Sequence, residues 1–233
     1  MKASTGNWSD PSPATGRISD LIETAGGLIF DMDGVIVNSE PVKFLAYQEA
    51  FLALYGVLLD PHDVNWRGRS EPEVIKYWAR KMKIEQDLNA EKLIEKKRSV
   101  YRRLVNDGCL ELVPGAKEFL AGMLRVKKPC GLATTSNRQD QQDIFKLFGL
   151  EPFFAVVTTI EDIKRPKPEP EIYLKTAKSL GLAPGRCIAF EDSPPGYTAA
   201  KLAGMEVVCV LTSCGKEDFE GSFFWIKNFT ELL

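Results

Sequence analysis

Four stretches of this chain carry residues whose types and spacing could do chemistry. The first is Asp31-Met32-Asp33-Gly34, which follows the apolar run Gly27-Leu28-Ile29-Phe30. That run is too brief for a stable lone helix and stops at a carboxylate and a glycine, so it reads as a buried strand ending in a sharp turn. Carboxylates at i and i+2 of a strand end project to one side, and such close like charges are hard to keep ionised without a cation beside them. Oxygen ligands at a strand terminus suit Mg²⁺, which keeps several waters and often shares its shell with substrate phosphate. Standing alone, an Asp-x-Asp pair more often just solvates a strand end and caps the next segment.

Three further pieces arrive downstream in order. Thr134-Thr135-Ser136-Asn137 lies where a strand passes into a helix, and hydroxyls and backbone N–H groups there can cradle an anionic oxygen or simply cap the helix. Lys167 sits in Lys164-Arg165-Pro166-Lys167-Pro168-Glu169-Pro170, where flanking prolines stiffen the loop around a point charge suited to phosphate; ordinary exposed loops share that composition. Glu191-Asp192 ends another strand and offers a second pair of acids that could complete a metal site. All four at successive strand ends describe one mouth that binds metal and phosphate.

The elements that must position these groups are readable from periodicity. From Val113 onward strands alternate with helices, which predicts an α/β fold built on a parallel sheet. The expected strands are Cys130 to Thr134, Phe154 to Thr158, Arg186 to Phe190 and Glu206 to Val210, with an edge strand at Phe223 to Ile226. The expected helices are Leu112 to Leu124, Gln139 to Phe148, Glu171 to Leu180 and Gly196 to Ala203. Between Ser39 and Glu111 the pattern is helical throughout. Phe44, Tyr47, Phe51 and Leu54 share one face of a helix closed by Gly56. Ser70-Glu71-Pro72-Glu73 is a capping box ahead of Val74, Trp78 and Met82. A third helix, Asn89 to Asn106, turns Leu93, Ile94, Val100, Tyr101 and Leu104 inward and leaves Glu95-Lys96-Lys97-Arg98 as a solvated flank. The division is therefore a flexible extension over 1–23 with a short helix near Ile18 to Thr24, a core of 24–37 and 112–233, and a helical cap over 38–111. Two adjacent linkers join the cap at the rim where the acids lie, a hinge suited to a lid.

Composition excludes several classes. Thirty Lys and Arg against thirty-two Asp and Glu give no field that recommends nucleic acid, and no apolar stretch approaches bilayer length. Five cysteines without zinc-type spacing or a secretory signal predict reduced thiols in the cytoplasm. The sole histidine, His62, lies in a polar loop and is a poor candidate base. The expected partner is a small phosphorylated metabolite, without nucleic acid or membrane, and the expected state is a monomer.

The stretches Asp31-Met32-Asp33-Gly34-Val35, Thr134-Thr135-Ser136, Lys167-Pro168-Glu169-Pro170-Glu171 and Glu191-Asp192-Ser193-Pro194-Pro195-Gly196 resemble the haloacid dehalogenase superfamily of phosphohydrolases. The branch resembled has a small helical cap and includes beta-phosphoglucomutase and phosphoglycolate phosphatase. The resemblance spans about residues 26 to 212 and implies a Rossmann-like parallel sheet core with an inserted all-helical cap. It makes Asp31 the nucleophile that forms an aspartyl-phosphate, and Asp33 the general acid and then the base for water. It gives Mg²⁺ to the carboxylates of Asp31 and Asp192 and the main-chain carbonyl of Asp33, with Glu191 near the shell. Thr134 and Lys167 bind the phosphoryl oxygens, and Ser136 and Asn137 belong to the same cradle. An acid two residues after the nucleophile favours phosphate esters over carbon–halogen bonds, because an alkoxide leaving group needs a proton. The mutases of this branch carry a histidine near Lys43 and an arginine near Glu71, so the mutase alternative is weakened here. Lys43 and Arg69 become the expected cap contacts to substrate. A non-catalytic binder of phosphorylated metabolites is the third reading.

Overall fold

The structure is a computed structural model that describes residues 15–67, 71–219 and 224–233. The chain enters through α1 (Thr15–Thr24), whose Ile18 and Ile22 are buried, with Leu21 packed beside them. The loose extension expected as far as residue 23 is thereby corrected over this helix. Ile18, Leu21 and Ile22 stand at i, i+3 and i+4 and give one apolar face that docks on the core.

β1 (Gly27–Phe30) is buried at all four residues. After it come β2 (Val37–Asn38), then α2 (Glu40–Tyr55), α3 (Glu71–Met82) and α4 (Ala90–Asn106) of the cap, and β3 (Glu111–Leu112). The core resumes with α5 (Ala116–Arg125), β4 (Cys130–Ala133), α6 (Arg138–Phe148), β5 (Val156–Thr158), α7 (Glu171–Ser179), β6 (Cys187–Glu191), α8 (Pro194–Leu202), β7 (Glu206–Val210) and β8 (Phe224–Ile226). The main sheet runs β5-β4-β1-β6-β7-β8, every pairing parallel. This is the expected α/β core with an inserted helical cap.

Strand alternation sorts the core into two layers. Leu28 and Phe30 of β1 face one side and join Phe119, Leu120, Ile144 and Phe145 of α5 and α6. Ile29 faces the other and meets Ile172, Tyr173, Ala199 and Ala200 of α7 and α8. Phe30 stacks on Phe190 of the adjacent strand with ring centroids 4.8 Å apart. With helices on both faces, β1 has nothing but apolar neighbours until its carboxyl end, where the chain leaves the sheet.

The cap has its own core, in which Tyr47, Phe51, Trp66, Ile75, Trp78 and Leu93 meet. Its inner face, with Val42, Ala46, Val100, Tyr101 and Val105, is continuous with the main core. The two linkers are paired: Val37 lies opposite Leu112 and Asn38 opposite Glu111 in an antiparallel ladder, extended by Val113 N donating to Ile36 O at 2.9 Å. Leu112 was expected in a helix, but it belongs to this ladder. Pro114 and Gly115, the latter at φ 78°, delay the helix start to Ala116. The capping-box residue Ser70 and Phe223 lie outside the described residues. No helix among the described residues is long and apolar enough to cross a membrane.

Candidate active site

β1, β4 and β6 end side by side, and the chemistry-bearing residues follow directly from those ends. Asp31 is the first residue past β1 and is held by its own N–H, which donates to Phe190 O at 3.0 Å. Glu191 closes β6 and Asp192 follows it. Oxygens of Asp31, Glu191 and Asp192, all buried, lie within 4.8 Å of one another. The loop before α7 brings Lys167 to them. Its Nζ donates to Asp31 Oδ1 at 2.6 Å, to Glu191 Oε1 at 2.5 Å and to Ala133 O at 3.1 Å. Tyr173 of α7 donates its hydroxyl to the same Glu191 oxygen at 2.6 Å. The other oxygen, Oε2, accepts from Asp192 N and from Ser193 N and Oγ. Glu191 is thus fixed from several sides, whereas Asp192 accepts from the Ser213 hydroxyl.

The turn after Asp31 depends on Gly34. Its φ is 79°, and a Cβ there would lie 1.8 Å from Asp192 Oδ2 and 2.6 Å from Ser213 Oγ. Only glycine lets the β1 loop close against the second acidic strand end.

Electrostatics separates the two aspartates of the first motif. Burial raises the Asp31 carboxyl to about 7; Lys167 opposes the rise, and Glu191 and Asp33 add to it. Asp192 is also pushed up, first by burial and then by Glu191 and Asp31. Asp33 goes the other way. Burial works against its charge, but Lys43, with Nζ 3.3 Å from Oδ1, and the Ser136 hydroxyl, 2.6 Å from Oδ2, bring its pKa to about 2. Lys167 keeps its proton because Asp31 and Glu191 outweigh its burial. Three buried carboxylates therefore face one ammonium, a negative excess that a divalent cation would neutralise, and an all-oxygen donor set suits a hard ion. The residues present fit a Mg²⁺ site. Asp33 is expected to reach the metal through its main-chain carbonyl; its carboxylate is engaged by Ser136 and Lys43 and stands outside this trio.

In the second motif, Thr134 is fully buried and its Oγ1 accepts from Ser136 N at 3.0 Å, which bends the loop. The α6 cap is Asn137, not Thr134. Asn137 Oδ1 accepts from Asp140 N at 2.9 Å and Nδ2 donates to Asp140 Oδ2 at 2.7 Å, so the amide expected as a substrate contact caps the helix in this structure. Lys43 of α2 reaches the site and is shared between Asp33 and Glu40. Arg69 lies outside the described residues.

Lys97 was expected on a solvated flank, yet its side chain is only 13% exposed. Nζ is 3.2 Å from Glu71 Oε1 and lies over the rings of Tyr47 and Tyr101. Leu93, Lys97, Val100, Tyr101 and Leu104 stand at i, i+4, i+7, i+8 and i+11, so helical spacing alone places Lys97 on the apolar face. Tyr173 and Ser213 were also missed, and no local motif marks either.

The sequence profile of the haloacid dehalogenase-like hydrolases matches residues 26–204. The chain is 30% identical over 181 residues to the phosphorylated carbohydrates phosphatase of Thermotoga maritima, covering 77% of this chain and 82% of that protein. It is 30% identical over 192 residues to the fructose-1-phosphate phosphatase YqaB of Escherichia coli, covering 82% and 98%. Among solved structures, CbbY of Rhodobacter sphaeroides in complex with phosphate superposes with a TM-score of 0.75 at 25% identity, over 89% of this chain and 96% of that one. With that profile matching most of its length, the chain belongs to the haloacid dehalogenase-like hydrolases and is an enzyme of that family.

Proposed function

We propose that the protein is a Mg²⁺-dependent phosphatase that hydrolyses a small phosphorylated metabolite of the sugar phosphate class through a phosphoryl group carried on Asp31. The observation that carries this reading is the buried trio Asp31, Glu191 and Asp192 with Lys167 bonded into it, while Asp33 is held apart by Lys43 and Ser136. Asp31 and Asp192 would hold the ion, together with the main-chain carbonyl of Asp33, and Glu191 stands behind them. The ion supplies charge neutralisation for nucleophile and phosphoryl oxygens alike.

Asp31 attacks phosphorus with an ionised oxygen, oriented by its backbone bond to Phe190 and by Lys167. Lys167, aimed by its bond to the Ala133 carbonyl, and the loop at Thr134 face the phosphoryl oxygens, where positioning and charge supply most of the rate. Asp33 handles the proton. With Lys43 beside it the carboxylate is ionised and ready as the base for water. To act first as acid, it takes up a proton as the arriving phosphate draws Lys43 away and adds its own negative charge. The names of the two phosphatase relatives, both directed at phosphorylated carbohydrates, support the substrate class. Free thiols at Cys130, Cys187 and Cys209 in the buried core support a reducing, cytoplasmic setting, and we propose a monomer, which light scattering tests.

The experiment is a panel of phosphorylated metabolites with Mg²⁺, with EDTA, and with Asp31→Asn. Steady release of phosphate that EDTA silences, Mg²⁺ restores and Asp31→Asn reduces by at least about a thousandfold is expected. Turnover by a verified Asp31→Asn sample, or in EDTA, overturns the mechanism. Isomer conversion that requires a bisphosphate would instead mark a phosphomutase working through the same aspartate, and tight binding without turnover a sensor.

A further inference from the structure

Beside the reacting carboxylates, the first turn of the cap leaves one acceptor unused. Glu40, the first residue of α2, has a side chain only 12% exposed, and its Oε1 accepts from Lys43 Nζ at 3.3 Å. The same Nζ is 3.3 Å from Asp33 Oδ1, so Glu40 is one ammonium away from the group that meets the leaving oxygen. Its second oxygen, Oε2, is buried and has no hydrogen-bond partner. Next to it, Ser39 occupies the N-cap position and is fully buried, yet its hydroxyl does not cap the helix. That hydroxyl faces Asp33 closely enough to help lower its pKa but makes no hydrogen bond of good geometry.

A carboxylate oxygen can only accept, and burying one without a donor is costly, so this oxygen asks for a hydroxyl or amine from outside the chain. Its place selects which part of a ligand that is. Lys167 is bonded to Asp31, the proposed nucleophile, whereas Glu40 is joined through Lys43 to Asp33, the group proposed to meet the alcohol portion of an ester. An alcohol with a further hydroxyl near its ester carbon could satisfy Oε2, with Ser39 beside it to donate or accept.

We infer that Glu40 is a specificity-determining residue whose Oε2 accepts a hydrogen bond from a hydroxyl of the leaving group, so that the site selects phosphate monoesters of polyols over those of plain alcohols. The inference rests on the phosphatase reading above and deepens it. Ser39 is the second donor and acceptor of the same subsite.

Glycerol 1-phosphate and propyl phosphate share a carbon chain and differ only in hydroxyls, which makes them suitable probes. The wild-type kcat/KM should favour glycerol 1-phosphate by at least about tenfold, because a site that leaves an acceptor bare rejects the analogue without the hydroxyl. Glu40→Ala should shrink that ratio at least about fivefold, whatever it does to the two rates through Lys43. Glu40→Gln, of the same volume, is the variant to read if the alanine protein does not fold, with the ratio expected to fall at least about threefold. A ratio unchanged in the folded variant overturns the inference, since Glu40 would then act only through Lys43 and Asp33. A wild-type enzyme that hydrolyses both esters equally overturns it too and leaves the phosphatase reading intact. If the wild type hydrolyses neither these esters nor p-nitrophenyl phosphate, it is the phosphatase reading that fails, and the inference with it.

Discussion

Asp31 and Asp33 are two residues apart, yet their pKa values shift in opposite directions: at Asp31 burial wins over Lys167 with Glu191 and Asp33 adding to it, whereas at Asp33 Lys43 and the Ser136 hydroxyl outweigh burial. The division of labour proposed between nucleophile and proton carrier would thus come from surroundings rather than residue type. Gly34 permits it, since the chain must turn at positive φ directly against Asp192. Gly34→Ala should therefore displace the Asp192 carboxylate, with a loss of about 2 kcal/mol or more in stability or in Mg²⁺ activation. Mg²⁺ titration of activity, beside a melting curve, checks this. An alanine variant with wild-type Mg²⁺ dependence would show that Asp192 moves freely. At this scale the sequence was readable where a position is announced locally: Asp31, Thr134 and Asp192 directly follow strands, Glu191 ends one, and Lys167 sits in a proline-flanked loop. Lys97, Tyr173 and Ser213 were hidden, since a charged or hydroxylic side chain on a helix or loop shows its partner only once distant segments meet. The capping by Asn137 was hard to tell from phosphate cradling for a related reason, because both use the same residue types.

Among the elements, the cap is held by more than its apolar cluster. Asp63, in the loop between α2 and α3, has a buried carboxylate that accepts from Asn65 N at 2.9 Å, from Asn65 Nδ2 at 2.8 Å, and from Tyr77 and Lys81 of α3. Burial opposes its charge, but these donors hold its pKa well below the ordinary carboxylate value. A folded-state pKa below the unfolded one contributes stability that is complete above the unfolded value, about 3.9, and is lost as pH falls through and below it toward the folded one. The cap should thus weaken in acid, read by the fluorescence of Trp66 and Trp78, which sit in its core. Asp63→Asn should flatten that pH dependence and cost about 1–2 kcal/mol at neutral pH. An acid transition as steep in the variant as in the wild type would rule Asp63 out as its cause. Helix positions were readable because each face repeats at 3.6 residues. Boundaries were less so: the ladder at Leu112 is two residues long and offers no periodicity.

At the scale of the whole molecule, ion pairs run from cap to core at two places among the described residues. One is Lys43 on Asp33, inside the mouth. The other is Arg102 of α4, whose Nε is 3.1 Å from Asp140 Oδ1, and Asp140 is the residue that Asn137 grips at the start of α6. Cap position and the loop carrying Thr134 and Ser136 are thereby connected through one carboxylate. Arg102 is half exposed, so the pair is weak, and Arg102→Ala should raise KM by about two- to fivefold. In roughly 1 M salt the difference between wild type and variant should shrink, because the tie is screened. A variant indistinguishable from wild type at low salt would show that closure does not use this contact.

The paired linkers also bear on how the chain reaches its fold. β1 finds its neighbours β4 and β6 only after the whole helical insertion has been made, and bringing such distant strands together carries an entropy of loop closure that rises with the length of free chain between them. A cap that has already folded holds Asn38 and Glu111 opposite each other and removes its own length from that loop. Through this two-residue ladder, the helical insertion also shortens the search by which the central strand is assembled.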